Sequence, residues 1–189
     1  MRCLKGTLRL GLLYGNNGLQ DCNGYSYSDW AEDTDDHKST SGYLFQMSGA
    51  AISWRSKKHT CVALSTAEVD KYMASAFAVQ EAIGMGQFLS DLRKNPTAAT
   101  HIFEDNQSAI ILAKNPQFHG RAEHIGIKYH FNSGKGRERR VEKGNVELQY
   151  CPTEEMVADM LTNGLSRDRF VNLRVMCRMK EMIGHYPYE

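Results

Sequence analysis

The chain has 189 residues, 41% of them hydrophobic and 24% charged, which is ordinary globular composition, enough for one full core and too little for two large domains. Lys and Arg number 23 against 22 Asp and Glu, so the net charge of +1 removes any global electrostatic case for a polyanion partner and leaves only local basic patches. Five scattered cysteines (Cys3, Cys22, Cys61, Cys151, Cys177) lack C-x-x-C spacing, which excludes a zinc-ribbon pattern and reads as reduced thiols of an intracellular protein. No apolar run approaches membrane-spanning length and the N-terminus has no signal-peptide pattern, so no membrane partner is expected.

In chain order, Arg2–Tyr14 is a short amphipathic piece that starts in mid-pattern, as a fragment of a longer polypeptide would, and ends at the turn signal Gly15-Asn16-Asn17-Gly18. Asn23–Trp30 predicts a strand, with Tyr25, Tyr27 and Asp29 on one face and Ser26, Ser28 and Trp30 on the other. After an acidic loop over 32–36, the runs Tyr43–Met47 and Ala50–Trp54 flank Ser48-Gly49 and read as an antiparallel hairpin, with Arg55–His59 as its basic exit. Ser65-Thr66-Ala67-Glu68 is a capping-box pattern opening the longest helix, whose apolar positions Val69, Tyr72, Met73, Ala76, Val79 and Ile83 recur at steps of three and four before Pro96. Ile102-Phe103 then meets Glu104-Asp105, and Asn106 is a good N-cap for a helix to Lys114. His119–Phe131 predicts another helix, 132–143 a charged loop, Val146–Tyr150 a strand, Pro152–Leu165 a helix and Arg167–Met182 a last helix. Early antiparallel strands followed by strands alternating with helices imply a mixed sheet covered by helices.

Four places put carboxylates at element ends: Asp29, then Glu68 or Asp70, then Asp105, then Asp159. An acid where a strand turns into a helix lies where open α/β sheets place their ligands, which makes Asp105 the first candidate. Carboxylates from several elements are what two neighbouring divalent cations need if each is to bind both the protein and a phosphate oxygen. Each acid also has a plain structural role open to it. Glu68 fits the N3 position of the capping box, Asp159 can serve a helix dipole, and Asp29 can simply end a strand.

Gly24–Phe45 (GYSYSDWAEDTDDHKSTSGYLF), Ala51–Glu68 (AISWRSKKHTCVALSTAE), Phe103–Pro116 (FEDNQSAIILAKNP), Glu123–Phe131 (EHIGIKYHF) and Tyr150–Ser166 (YCPTEEMVADMLTNGLS) together resemble the ribonuclease H domain of copia-type LTR-retrotransposon Pol polyproteins. The likeness runs over nearly the whole chain, and Arg2–Gly15 is similar to the connection that follows reverse transcriptase. It implies a ribonuclease H-like α/β fold: a mixed five-stranded sheet, three strands antiparallel and two parallel, flanked by helices. It further implies a division into a connection remnant (1–18), the ribonuclease H-like domain (19–166) and a C-terminal helical tail (167–189). Two magnesium ions, replaceable by manganese, would hydrolyse the RNA strand of an RNA–DNA hybrid. Catalytic candidates are Asp105, Asp159, Asp70, Glu68 and Asp29, with Asp105, Asp159 and Asp70 as metal ligands. The reverse transcriptase of the same polyprotein is an implied partner, and the domain is expected to be a monomer.

The chain departs from the family pattern at Thr162-Asn163, where the family has Thr-Lys, at Asn132-Ser133, where it has Ile-Arg, and at two ligand positions. The family's first strand reads Gly-Tyr-x-Asp-x-Asp-Trp, with the first aspartate as metal ligand, whereas here that position is Tyr27. A neutral phenol with a pKa of about 10 is a poor magnesium ligand. Asp29 matches the second aspartate and could substitute only by moving the metal. The family's Ser-Thr-x-Glu-x-Glu-Tyr-Met-Ala is one residue longer here, Ser65 to Ala74, so the ligand position is Asp70 counted from the cap and Lys71 counted back from the helix. One inserted residue rotates a helix by about 100°, so either a bulge absorbs it or the carboxylate points away.

Hybrids are near A-form and are bound by shape, phosphate and 2′-hydroxyl contacts. Arg55, Lys57, Lys58, Arg121, Lys128 and His130 are the candidate contacts, while the charged loop over 135–143 reads as a solvated insertion. The leading expectation is a retroelement ribonuclease H with weakened or absent activity. Its rivals are a catalytically inactive nucleic-acid-binding module and a purely structural remnant of a polyprotein.

Overall fold

The computed structural model describes residues 8–15, 22–29, 38–59, 67–92, 99–114 and 146–182. The expected helix over 119–131, the charged loop, the capping-box residues Ser65 and Thr66, and Arg121, Lys128 and His130 lie outside the described residues.

Five strands form the main sheet: β2 (Asn23–Ser28), β3 (Thr40–Met47), β4 (Ala50–Lys58), β5 (Thr100–Glu104) and β6 (Val146–Tyr150), in the spatial order β4-β3-β2-β5-β6. The pairs β2–β3 and β3–β4 are antiparallel, while β2–β5 and β5–β6 are parallel. This is the mixed five-stranded sheet, three strands antiparallel and two parallel, expected of a ribonuclease H-like fold. The β3–β4 turn places Ser48 at φ 54° and Gly49 at φ 78°, the left-handed pair of a type I′ hairpin. The positive φ favours glycine at position 49, and a Cβ there would also have to displace the Arg178 side chain, 2.6 Å away. The basic run expected as an exit is part of β4 itself, which extends to Lys58.

Helix α1 (Ala67–Asp91) crosses one face of the sheet, with Ala74, Ala76, Ala78, Val79 and Ala82 buried. Its row of alanines lets the helix approach closely, and α2 (Gln107–Lys114) packs beside it through Ile110 and Ala113. Phe45, Ile102, Val146 and Leu148 meet them from the strands. Burying such side chains contributes roughly 1.5–3 kcal/mol each.

The opposite face is covered differently. The helix expected from Pro152 is two short 3-10 turns, η1 (Thr153–Glu155) and η2 (Val157–Leu161). Met156 breaks them apart at φ −74°, ψ 88° and is fully buried with Cys151 and Ala158. Core anchoring of that one side chain outweighs continuing the helix. The last expected helix also stops early: α3 (Arg167–Met176) ends where Arg178 turns to φ 51°. The chain then forms β7 (Met179–Glu181), which pairs antiparallel with β1 (Leu10–Leu12). Leu12, Leu173 and Cys177 join Leu44, Ala51 and Val157 in one cluster, so the two ends of the described chain dock on the same face. Among the described residues no helix is long and apolar enough to cross a membrane.

Candidate functional site

Strand alternation sorts the site. Tyr25 and Tyr27 of β2 lie on the face covered by η1 and η2, packed with Phe103, Cys151, Met156 and Ala158. The rings of Tyr25 and Phe103 stack with centroids 5.1 Å apart. Asp105 follows β5 directly, and the next residue, Asn106, caps α2 by accepting from the Ala109 amide at 2.9 Å. Asp105 is thereby held at the mouth of the sheet.

A lysine reaches that mouth from α1. The Lys71 ammonium donates to Asp105 Oδ1 at 2.6 Å and lies 4.7 Å from the centroid of the Tyr27 ring. The hydroxyl of Thr153 donates to the other oxygen, Asp105 Oδ2, at 2.9 Å. The two ligand positions that depart from the resemblance, Tyr27 and Lys71, therefore meet each other around Asp105. A cation facing an aromatic ring on one side and a carboxylate on the other is satisfied on both.

The helical phase explains why Lys71 and not Asp70 arrives there. From Ala67 to Asp91 α1 is continuous α-helix, so no bulge within it absorbs the extra residue. Asp70 is turned by about 100° from Lys71. It is buried, and its Oδ2 accepts from the Ser39 hydroxyl at 2.6 Å, at the entrance of β3. Glu68 lies in the first turn of α1, and its side chain is outside the described residues. Asp29 is also buried and works as a turn fastener: its Oδ1 accepts from the Thr40 amide while its own amide donates to the Thr40 carbonyl.

Asp159 sits in η2 with 2% of its surface exposed. Its Oδ1 accepts from Asn163 Nδ2 at 2.6 Å, and its Oδ2 takes Arg169 Nε at 2.9 Å and Arg169 Nη2 at 2.7 Å. Arg169 Nη2 also donates to the Thr153 carbonyl at 2.9 Å. Thr153 thus joins the two aspartates, with its hydroxyl on Asp105 and its carbonyl on the cation of Asp159.

Glu104, one residue before Asp105, alternates to the α1 side and is fully buried. Its Oε2 accepts from Ser26 and Ser75, both at 2.8 Å, while Oε1 has no partner among the described residues. Burial pushes its carboxyl up from 4.5 to about 8, against the two serine hydrogen bonds and Lys71, which pull it down.

Among the described residues no three His, Cys, Asp or Glu side chains converge to hold a metal ion. Magnesium asks for several oxygen ligands in octahedral array. Here one family ligand position carries a phenol, Asp70 turns to Ser39, and both remaining aspartates are closed by cations of the chain. This donor set does not fit the two ions that the resemblance implies.

The basic stretch of β4 is split by alternation. Arg55 lies on the α1 side, its guanidinium 5.7 Å from the Phe77 ring, and Lys57 follows it on that side. Trp54 and Lys58 lie on the other side, with Trp54 opposite Leu44 and 58% exposed. Sequence reasoning had no access to Arg169, Thr153, Asn163 or Glu104 as site members. The capping-type Ser166-Arg167-Asp168-Arg169 start of α3 announces a helix, not a counter-ion for an acid ten residues earlier.

No protein-family model matches the chain. It is 37% identical over 184 residues to the retrovirus-related Pol polyprotein from transposon TNT 1-94 of Nicotiana tabacum, covering 97% of this chain and 13% of that protein. It is 35% identical over 172 residues to the corresponding polyprotein from transposon RE1 of Arabidopsis thaliana, covering 91% of this chain and 11% of that one. The chain therefore spans only a small part of the length of these relatives. Among solved structures, LC11-RNase H1 in complex with an RNA/DNA hybrid is similar over 76% of this chain and 94% of that chain, with 16% identity and a TM-score of 0.48.

Proposed function

Given that this chain is a homologue of part of the retrovirus-related Pol polyproteins of transposons, we propose that it is their ribonuclease H-like module with metal-dependent hydrolysis silenced and nucleic-acid binding kept. One observation carries the reading: the Lys71 ammonium 2.6 Å from Asp105, where hydrolysis would require a divalent ion. In the same reading Asp105 and Asp159 descend from metal ligands and have become members of ion pairs. Residues 19–166 carry the domain's sheet, the segments on either side complete its core through Leu12, Leu173 and Cys177, and the reverse transcriptase of the polyprotein is its partner in cis.

Binding is supported by the exposed end of β4, where Lys58 shares a face with the exposed indole of Trp54 and Lys57 lies on the opposite face. Cations contact phosphates and an exposed aromatic ring packs on sugar or base. Replacing either lysine by alanine, Lys57→Ala or Lys58→Ala, removes one cation from the phosphates and should flatten the slope of log affinity against log salt by about one unit.

The test is a labelled RNA–DNA hybrid incubated with magnesium or manganese. Wild type is expected to bind the hybrid and leave the RNA strand intact. RNA cleavage abolished by Asp105→Asn would overturn the reading in favour of an active two-metal hydrolase. A repaired chain, Tyr27→Asp with Lys71 deleted, restores an acid on β2 and turns Asp70 by about 100° toward the place Lys71 leaves. That chain is expected to gain metal-dependent cleavage. Failure of wild type to bind hybrid would favour the structural remnant.

A further inference from the structure

The site holds two carboxylates and two cations, and their arrangement with respect to solvent is unequal. In the first pair the Lys71 side chain is 16% exposed and Asp105 5%. In the second the Arg169 side chain is 34% exposed and Asp159 3%. In both pairs the basic side chain is the more exposed member and the acid the more buried one. Thr153 links the pairs through one hydroxyl and one carbonyl, so they form a single patch.

A polyanion approaching a bare cluster of carboxylates meets Coulomb repulsion, which a partly buried site screens far less than open water does. Divalent ions normally remove that barrier by bridging acid and phosphate oxygens. Here the balance is already struck inside the chain, and the more exposed side chain of each pair is the lysine or the arginine, whose charged groups donate to phosphate.

We infer that Lys71 and Arg169 stand in for the divalent ions electrostatically, so that this face takes the phosphate backbone of an RNA–DNA hybrid without any divalent cation. The inference rests on the reading that the module binds hybrid. It adds the route by which binding outlives the loss of the metal site. Lys71 and Arg169 act on phosphate as donors and charges, while Tyr27 and Thr153 hold them in place.

The experiment is fluorescence anisotropy of a labelled hybrid with the full chain, at matched ionic strength, once in EDTA and once in millimolar magnesium. Wild type is expected to show affinities equal within about twofold in the two buffers. Lys71→Ala combined with Arg169→Ala, which uncovers both aspartates, is expected to lose about tenfold or more in EDTA and to recover part of that in magnesium. Should that variant fail to fold, Lys71→Gln keeps a donor to Asp105, removes the charge, and carries the same expectation at smaller size. A thermal unfolding series with manganese gives a readout free of nucleic acid: the midpoint of wild type stays put, and that of the uncovered variant rises.

Wild-type binding that collapses in EDTA overturns the inference and leaves the binding reading standing. Variants as indifferent to EDTA as wild type also overturn it. No hybrid binding in either buffer removes the binding reading and the inference together.

Discussion

Glu104 and Asp105 are neighbours in sequence and lie on opposite faces of one strand end, and the two faces deal with a buried carboxyl in opposite ways. On the α1 side Glu104 is surrounded by serine hydroxyls and held up to about 8, so near neutral pH it keeps its proton. On the side of the 3-10 turns Asp105 is answered by the Lys71 ammonium. A carboxyl leaves water either by staying neutral or by taking a counter-ion with it. At this strand end one carboxyl is held neutral and the other is compensated by a cation of the chain. Lys71 arrives together with Tyr27, whose ring it faces, and the arginine on Asp159 repeats the device.

Breaking the compensated side should have the greatest consequence. Lys71→Ala strands a buried Asp105 without its ammonium and is expected to cost about 3 kcal/mol, read as a lower urea midpoint at unchanged slope. Adding Asp105→Asn should recover most of the loss, because it removes the uncompensated charge. A cost near zero for Lys71→Ala would mean that the pair contributes nothing and that the contrast between the faces is empty.

The neutral side is tested by pH. The carboxyl of Glu104 is raised in the folded chain relative to its ordinary 4.5, so between about 4.5 and 8 the folded state binds more protons than the unfolded state. Its contribution to stability is therefore complete below the lower value, declines as pH rises, and is lost once pH passes the upper one. Glu104→Gln should flatten that decline and gain on the order of 2 kcal/mol over wild type at alkaline pH, with little change in acid. An equally steep loss in the variant would assign the pH dependence elsewhere.

The ring that lines the compensated side should matter least. Tyr27→Leu keeps apolar volume but removes the cation–π contact, and should lower stability by roughly 0.5–1 kcal/mol. In a Lys71→Met background the same change should lose less, because the cation is already gone.

The sheet was largely legible because its signals are local. Alternating Asn23–Ser28, the Ser48-Gly49 hairpin and Val146–Tyr150 are found where their patterns predict strands. The three-residue strands β1 and β7 were not, since three residues carry too little alternation to be distinguished from a helix edge. The η1–η2 break was hidden because the deep burial of Met156, not propensity, decides it. At the site, the absence of an acid at Tyr27 and the extra residue before Tyr72 could be read from residue order alone. The pairing of Lys71 with Asp105 could not, because it spans 34 positions and depends on the phase of a whole helix. The same holds for Arg169 on Asp159, where a charged residue at a helix start looks like any solvated one.

Whether a divalent ion can enter between the aspartates is decided by an amide NMR spectrum titrated with manganese, whose paramagnetism broadens signals close to a bound ion. With Lys71 seated on Asp105 and Arg169 on Asp159, the amides of Asp105, Thr153 and Asp159 should broaden no more than those beside exposed acids outside the site, such as Asp91 and Glu181. Selective loss of the Asp105, Thr153 and Asp159 signals at low manganese would show an ion seated at the aspartates and would refute closure by Lys71 and Arg169.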